Sequence, residues 1–517
     1  MKSIYKKAAL GSALLLLLHT ACTGDFDEIN TNPDGITSGS PETLASQVIL
    51  NITREDIASN FMGQHMYSKY ILWSEFPRNE QYNRFSRTDF NKMSRLVDAD
   101  KMVEYAESTE GLGEGIVNSY RALRHFVRAV NFFNMSIEVG DIPYSDALKG
   151  ESESNLRPLY DTQKEVFAGI LDELDEADAL FAAGEDFTGD MIYEGNVGQW
   201  RKAVNAFELK VLLYLYKKTA DTDLRVRERF ADIVANRPLI QGNEDNFELN
   251  YVNAANQMYP FYKLGNQSVI YPMVSSVIID KLKEFEDFRL FYYAAPSPVA
   301  IEGGADVSDY DAYKGTDPSM PYADMQSIHA TDDYSDINDR YKEIPEGEPV
   351  FIMSYAQVQF MLAEGNIRGW ISGNAESFYR EGIRAAMSFV AENTPERAAF
   401  NHGRLMDADY IDNYYDNTPA VQFAGTFEAQ LEQIITQKYI CTFMQAPREG
   451  FYENRRTGYP EFPVNPATNE NIPSDRLPVR WLYPQNELDY NSTHLNEAID
   501  RQYSGNDNVN ELMWILQ

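Results

Sequence analysis

From residue 41 onward, apolar side chains recur every three or four positions over long stretches, the spacing that gathers them on one face of an α-helix. Pro41-Glu-Thr-Leu44 opens the first such stretch, with Ser40 placed to cap it. A second runs from Glu114 to Ile137, where Ile116, Tyr120, Leu123, Val127, Val130 and Phe133 keep the helical repeat. The breaker cluster Gly140-Asp-Ile-Pro-Tyr144 ends it. Thr162 to Leu180 repeats the pattern with Val166, Ile170, Leu174 and Ala177, while Glu165, Asp172, Glu173 and Glu176 supply the polar face. Trp200 to Lys218 is apolar nearly all round (Val204, Phe207, Val211, Leu212, Leu215), which predicts a helix buried on most sides.

A hairpin follows later in the chain. Tyr355 to Trp370 predicts one helix, Ser372-Gly-Asn374 a turn, and Ala375 to Ala386 the return helix. The small residues Ala363, Ala375 and Gly382 fall where a tetratricopeptide-type pair needs close approach, with Leu362 and Tyr379 as bulky partners. An ordinary helix pair has the same pattern. Thr426 to Phe443 predicts one more helix, and the tail beyond it, including Arg455-Arg456-Thr-Gly-Tyr-Pro460, reads as irregular. No full-length internal repeat is visible.

Between about 290 and 347 the periodicity lapses. Ala295-Pro-Ser-Pro298, Gly303-Gly304 and Lys314-Gly-Thr-Asp-Pro318 interrupt regular helix. A stretch this long without its own helices points to function, and its tyrosines (Tyr292, Tyr293, Tyr310, Tyr313, Tyr322) favour a contact surface.

The N-terminus reads differently again. Lys2, Lys6 and Lys7 precede an apolar stretch, Ala8 to Leu18, and then His19-Thr-Ala-Cys22. That is the layout of a secretory signal over residues 1–21, too short for the about 20 apolar residues a membrane span requires. Small residues directly before a cysteine make Cys22 the expected lipid anchor, although His19 stands where such signals usually have leucine. Residues 22–40 are acidic and turn-rich, a tether into a single body from 41 to 517.

Cysteine content agrees with this arrangement. Only Cys22 and Cys441 exist, so acylation of the first leaves no disulfide. Cys441 lies in the apolar run Tyr439-Ile-Cys-Thr-Phe443 and reads as a buried, inert thiol. The formal net charge is −34, which excludes nucleic acid and anionic membrane surfaces as partners.

Catalytic motifs are missing from the sequence. The six histidines are scattered, with no zinc-type His or Cys spacing, no phosphate-cradling Gly-rich loop and no nucleophile elbow. Neither metal nor cofactor is expected. A glycosidase needs only two opposed carboxylates, and the 79 acids leave that alternative open. Two other features have chemistry behind them. The segment 73–87 interleaves Trp73, Phe76, Tyr82 and Phe85 with Asn, Gln and Arg84, a composition that can stack on a sugar face and bind its hydroxyls, or can equally be a packed loop. Arg455-Arg456 offers rigid forks for a buried carboxylate, with Glu364 as candidate partner, a structural role.

Several phrases occur in order: Asp25-Phe-Asp-Glu-Ile-Asn-Thr-Asn-Pro33, Gly140-Asp-Ile-Pro-Tyr144, Trp200 with its long apolar helix, Glu286-Asp-Phe-Arg289, Met353 to Glu364, Gln437-Lys-Tyr-Ile440, Arg455 to Pro460 and Leu482-Tyr-Pro-x-x-Glu487. Together they resemble the SusD/RagB family of outer-membrane nutrient-binding lipoproteins. The Asp-Phe-Arg form departs from the family's usual Asp-Pro-Arg. The resemblance implies an all-α fold, with a tetratricopeptide-like hairpin scaffold and a large irregular half carrying the ligand face. It implies a cell-surface lipoprotein that binds oligosaccharide, or in one branch peptide, and hands it to a SusC-like TonB-dependent transporter without chemistry or cofactor. On that reading the ligand face comprises Trp73, Tyr82, Arg84, Tyr292, Tyr293, Tyr310 and Tyr313. A surface glycoside hydrolase and a purely structural subunit of the transporter are the alternatives.

Overall fold

The computed structural model describes residues 39–54, 58–150 and 152–517. The signal segment, Cys22 and nearly all of the tether lie outside the described residues.

The fold is helical, as the periodicity predicts, and its helix starts are written in local chemistry. Ser40 accepts a hydrogen bond from Thr43 N at the head of Pro41–Thr53. Thr162 and Glu165 form a reciprocal capping box on Gln163–Ala182, with Thr162 N donating to Glu165 Oε2 at 2.8 Å. Asn196 caps Val197–Tyr214, and Ser354 with Gln357 caps Tyr355–Ile367. Each such cap satisfies backbone N–H groups that the helix itself leaves free. Gly140 ends Glu114–Val139 at φ 101°, a conformation that favours glycine.

Two large apolar cores hold the molecule. The first lies among Glu114–Val139, Gln163–Ala182 and Val197–Tyr214, around Phe126, Phe133, Trp200 and Phe207. Trp200 is fully buried and donates its Nε1–H to Asp190 at 2.8 Å. The second lies among Tyr355–Ile367, Ala375–Glu392, Phe427–Cys441 and the middle of the chain, around Tyr70, Tyr293, Phe360, Ile434 and Tyr439. Each fully buried Leu- or Phe-sized side chain contributes about 1.5–3 kcal/mol. The helix Tyr355–Ile367 serves both cores: Val358 and Met361 face the first, Phe360 and Ala363 the second. That explains why every residue from Ala356 to Gly365 is buried.

The predicted hairpin is present as Tyr355–Ile367 and Ala375–Glu392, packed directly on one another. Gly382 is the point of closest approach. A Cβ there would lie 2.6 Å from Phe360 Cε1. Gly365 does the same on the other side, against Phe230.

Two features differ from the periodic reading. Among the described residues, four short strands occur: β1 (Ile71–Trp73) pairs antiparallel with β3 (Pro272–Val274), and β2 (Phe247–Leu249) with β4 (Val350–Met353). Elements of three or four residues are too short to reveal an alternation. The irregular middle contains helices after all, among them Pro298–Glu302 and Tyr322–Ala330. Pro298 and Pro321 stand at helix starts rather than inside helices, where their missing N–H costs nothing. The tail likewise begins in helix: Arg455 and Arg456 occupy the last turn of Arg448–Thr457.

Motifs far apart in sequence meet inside. Arg289 pairs with Asp287 at 2.5 Å, and the same terminal nitrogen also donates to Gln437 Oε1 at 2.7 Å, all fully buried. Asp141 accepts from Gln163 N and Arg501, and its own carbonyl accepts from the Tyr483 hydroxyl at 2.8 Å. Cys441 is buried, and burial pushes its thiol up to about 12, which leaves no reactive thiolate.

Candidate functional site

The two segments expected to carry the ligand face do meet. Tyr82 OH donates to Met320 O at 3.2 Å, and Tyr322 OH donates to the carbonyls of Ser74 (3.2 Å) and Glu75 (2.5 Å). A small apolar cluster of Leu72, Met273, Met325 and Tyr334 seals the junction. β1, β3 and the helix Tyr322–Ala330 thereby come together at one place.

The rings that this junction presents are mostly not the ones expected. Tyr292, Tyr293 and Tyr313 are buried, with their hydroxyls tied to backbone. Tyr292 OH accepts from Met406 N at 3.0 Å, Tyr293 OH donates to Ile440 O at 3.2 Å, and Tyr313 OH donates to Val307 O at 2.9 Å. A ring enclosed on both faces cannot stack on a ligand without first unpacking the core. Tyr310 is half-buried against Phe291 in the same region. Tyr82 is buried beneath the junction. Arg84 is exposed, 3.7 Å from Glu470, and turns toward a different concavity.

Trp73 has a supporting place. It is only 3% exposed, and it anchors a run of five rings. Phe76, 47% exposed, meets it edge-on at 6.2 Å. Tyr271 meets it on another side at 5.4 Å. His329 lies 5.8 Å beyond Tyr271 and stacks on Tyr334 at 5.2 Å. Phe76 is exposed, Tyr271, Tyr322 and His329 are half-buried, and Trp73 and Tyr334 lie beneath. The result is a ledge of aromatic faces with polar edges, the chemistry that takes the apolar face of a sugar ring. Two ring nitrogens on it, Trp73 Nε1 and His329 Nε2, are buried without a hydrogen-bond partner among the described residues. A buried polar atom left unpaired costs free energy, and a ligand hydroxyl or a water can relieve that cost.

The ledge is fixed from below. Gln81 Oε1 accepts from Trp73 N at 2.9 Å, and Gln81 O accepts from Lys69 Nζ at 2.7 Å. Lys69 also donates to Asn83 Oδ1 at 2.8 Å. Its burial lowers the amine to about 7, with Asp317 opposing the shift.

Phe76 was within reach of the sequence reading, which singled out its segment. Tyr271 and His329 carried no signal, because only the pairing of β1 with β3 brings Tyr271 beside Trp73, and only the packing of the helix Tyr322–Ala330 brings His329 onto Tyr271.

The arginine pair has divided roles. Arg456 meets Glu364 at 2.6 and 2.7 Å, with Glu453, Lys438 and Arg368 completing a buried network. Arg455 instead donates to the carbonyls of Ile137 and Val479.

Among the described residues, no three His, Cys, Asp or Glu side chains converge as a metal site requires, and no helix is long and apolar enough to cross a membrane.

The family profile for SusD-like proteins, described as starch-binding associating with outer membrane, matches residues 33–484. A SusD homolog from Bacteroides fragilis is 45% identical with a TM-score of 0.89, over 93% of this chain and 100% of that one. A second Bacteroides fragilis SusD homolog is 35% identical with a TM-score of 0.81 over the same shares. A chitin-binding SusD homolog from Flavobacterium johnsoniae shares the fold at 20% identity and a TM-score of 0.70, over 92% of this chain and 98% of that one. No curated protein matches the sequence. With a profile that spans most of the chain and two homologs above 30% identity along nearly its whole length, this protein belongs to the SusD-like family.

Proposed function

We propose that this chain is a non-enzymatic capture protein that binds oligosaccharide at the outer membrane and passes it to a SusC-like TonB-dependent transporter. The observation that carries this reading is the aromatic ledge of Phe76, Tyr271 and His329 over Trp73, with two unpartnered ring nitrogens. Stacking faces flanked by hydrogen-bonding edges suit a carbohydrate better than an extended peptide, whose recognition draws on free strand edges. The family description as starch-binding and the chitin-binding fold relative support the carbohydrate class. Attachment through acylated Cys22, following removal of residues 1–21, is part of the same reading, with 22–40 as the tether and 41–517 as the body.

Titration calorimetry of the soluble chain with starch and chitin oligosaccharides tests it. Measurable binding that Phe76→Ala and Tyr271→Ala both weaken is expected. Wild-type affinity in both variants would remove the ledge from the site. Release of reducing ends by purified protein would overturn the non-enzymatic assignment, and failure to co-purify with a transporter would overturn the partnership.

A further inference from the structure

Acidic side chains outnumber basic ones 79 to 45 in this chain. One concavity reverses that balance. It is a cleft of about 560 Å³ where the C-terminal part of Glu114–Val139 meets the start of Arg448–Thr457, the end of Pro41–Thr53 and the stretch 84–95. Seven basic residues line it against four acids.

The bases near solvent have charge to spare. Arg95 is exposed and forms no ion pair among the described residues. Among the described residues, Arg84 pairs only with Glu470, at 3.7 Å and with both side chains exposed, an arrangement of little strength. Arg87 shares Asp507 with Arg480, so one carboxylate serves two guanidinium groups. A cleft with protein walls concentrates such a field where bulk water would disperse it.

The interior has the polarity of a sugar site. On the floor, buried Lys210 donates to Glu449 Oε1 at 2.6 Å, while Glu449 Oε2 is buried with no partner among the described residues. That oxygen can accept one hydroxyl. On the wall, Phe85 stacks on Trp481 at 4.4 Å, and Tyr67 meets Trp481 edge-on at 5.6 Å. All three rings are half-buried.

We propose that this cleft is a second ligand site, for a saccharide unit bearing a carboxylate or sulfate group. The anion sits among the Arg84, Arg87 and Arg95 forks, the ring lies along Trp481 and Phe85, and a hydroxyl donates to Glu449 Oε2. Guanidinium groups match planar or tetrahedral oxyanions through paired N–H donors. The inference rests on the reading of this chain as a glycan-binding protein, and adds to it the charge of the glycan.

Calorimetry on the full chain with a galacturonic-acid oligomer, its fully methyl-esterified counterpart, a sulfated galactan oligomer and a neutral starch oligosaccharide tests it. The acidic or the sulfated oligomer is expected to bind, with affinity falling as salt rises, and whichever binds names the anion. Arg84→Gln with Arg95→Gln should weaken that binding about tenfold. Both side chains are exposed, so the variant folds. Equal binding of acid and ester, or no effect of the arginine variant, would overturn the cleft. Binding of neutral oligosaccharide alone would overturn the cleft and leave the ledge standing. Absence of binding by every oligomer would overturn both.

Discussion

Arg456 lays both terminal nitrogens of its guanidinium on the two carboxylate oxygens of Glu364, at 2.6 and 2.7 Å, with both side chains out of water. Glu364 comes from the helix shared by the two cores, Arg456 from the last turn of the helix Arg448–Thr457. Removing one partner strands a buried charge. Glu364→Ala should therefore lower unfolding free energy by about 3–5 kcal/mol, read by denaturant titration. Replacing both residues with apolar ones of similar volume should cost less than either single change. A single variant as stable as wild type would show the pair to be dispensable.

Acid should unlock the same pair. Burial alone would raise the Glu364 carboxyl, but Arg456, with Arg368 and Lys438, outweighs burial and holds it down to about 2, against an ordinary 4.5. A depressed carboxyl stabilises the fold fully above the unfolded value and loses that contribution as pH falls through the folded one. Stability should thus decline between 4.5 and about 2, and the decline should be shallower in Glu364→Gln. Thermal melts across that interval provide the comparison.

Lys69 predicts the opposite slope at higher pH. Its amine is lowered from 10.5 to about 7, so between those values the unfolded chain holds more protons than the folded one. Unfolding free energy should therefore rise with pH across that window, and Lys69→Met should remove the rise. Denaturant midpoints measured below and within the window settle the sign. An identical pH profile in the variant would assign the slope to other groups.

Tyr293 and Phe76 should separate stability from binding. Tyr293 is fully enclosed, so Tyr293→Ala should cost about 3–5 kcal/mol of stability. Phe76 is largely open to solvent, so Phe76→Ala should leave the melting temperature within experimental scatter while removing about 1 kcal/mol of oligosaccharide affinity.

Gly382→Val should test the hairpin. Its Cβ would meet the Phe360 ring at 2.6 Å, and a branched side chain there should destabilise by about 1–3 kcal/mol. Calorimetric melting detects a change of that size.

The helices were legible because their information is local. Thr162 and Glu165 are three residues apart, and Gly382 announces close packing within its own hairpin. The identity of the exposed rings was not local. Tyr293 and Tyr271 look alike in sequence, yet one is enclosed by Phe443 and the Phe427–Cys441 helix, while the other borders water beside β1. What separates them is a strand pairing some two hundred residues apart, with three-residue strands that leave no pattern. Pro298 misleads for a related reason: it looks like a break until its helix is seen to begin there.

The helix Tyr355–Ile367 lies between two apolar interiors and lends a side to each. Loss of that rod would open both interiors together. Heat should therefore unfold the two in a coupled transition, with probes of either core giving the same midpoint. A surface carried on such an indivisible frame meets its sugar already shaped, and spends little entropy on closing around it.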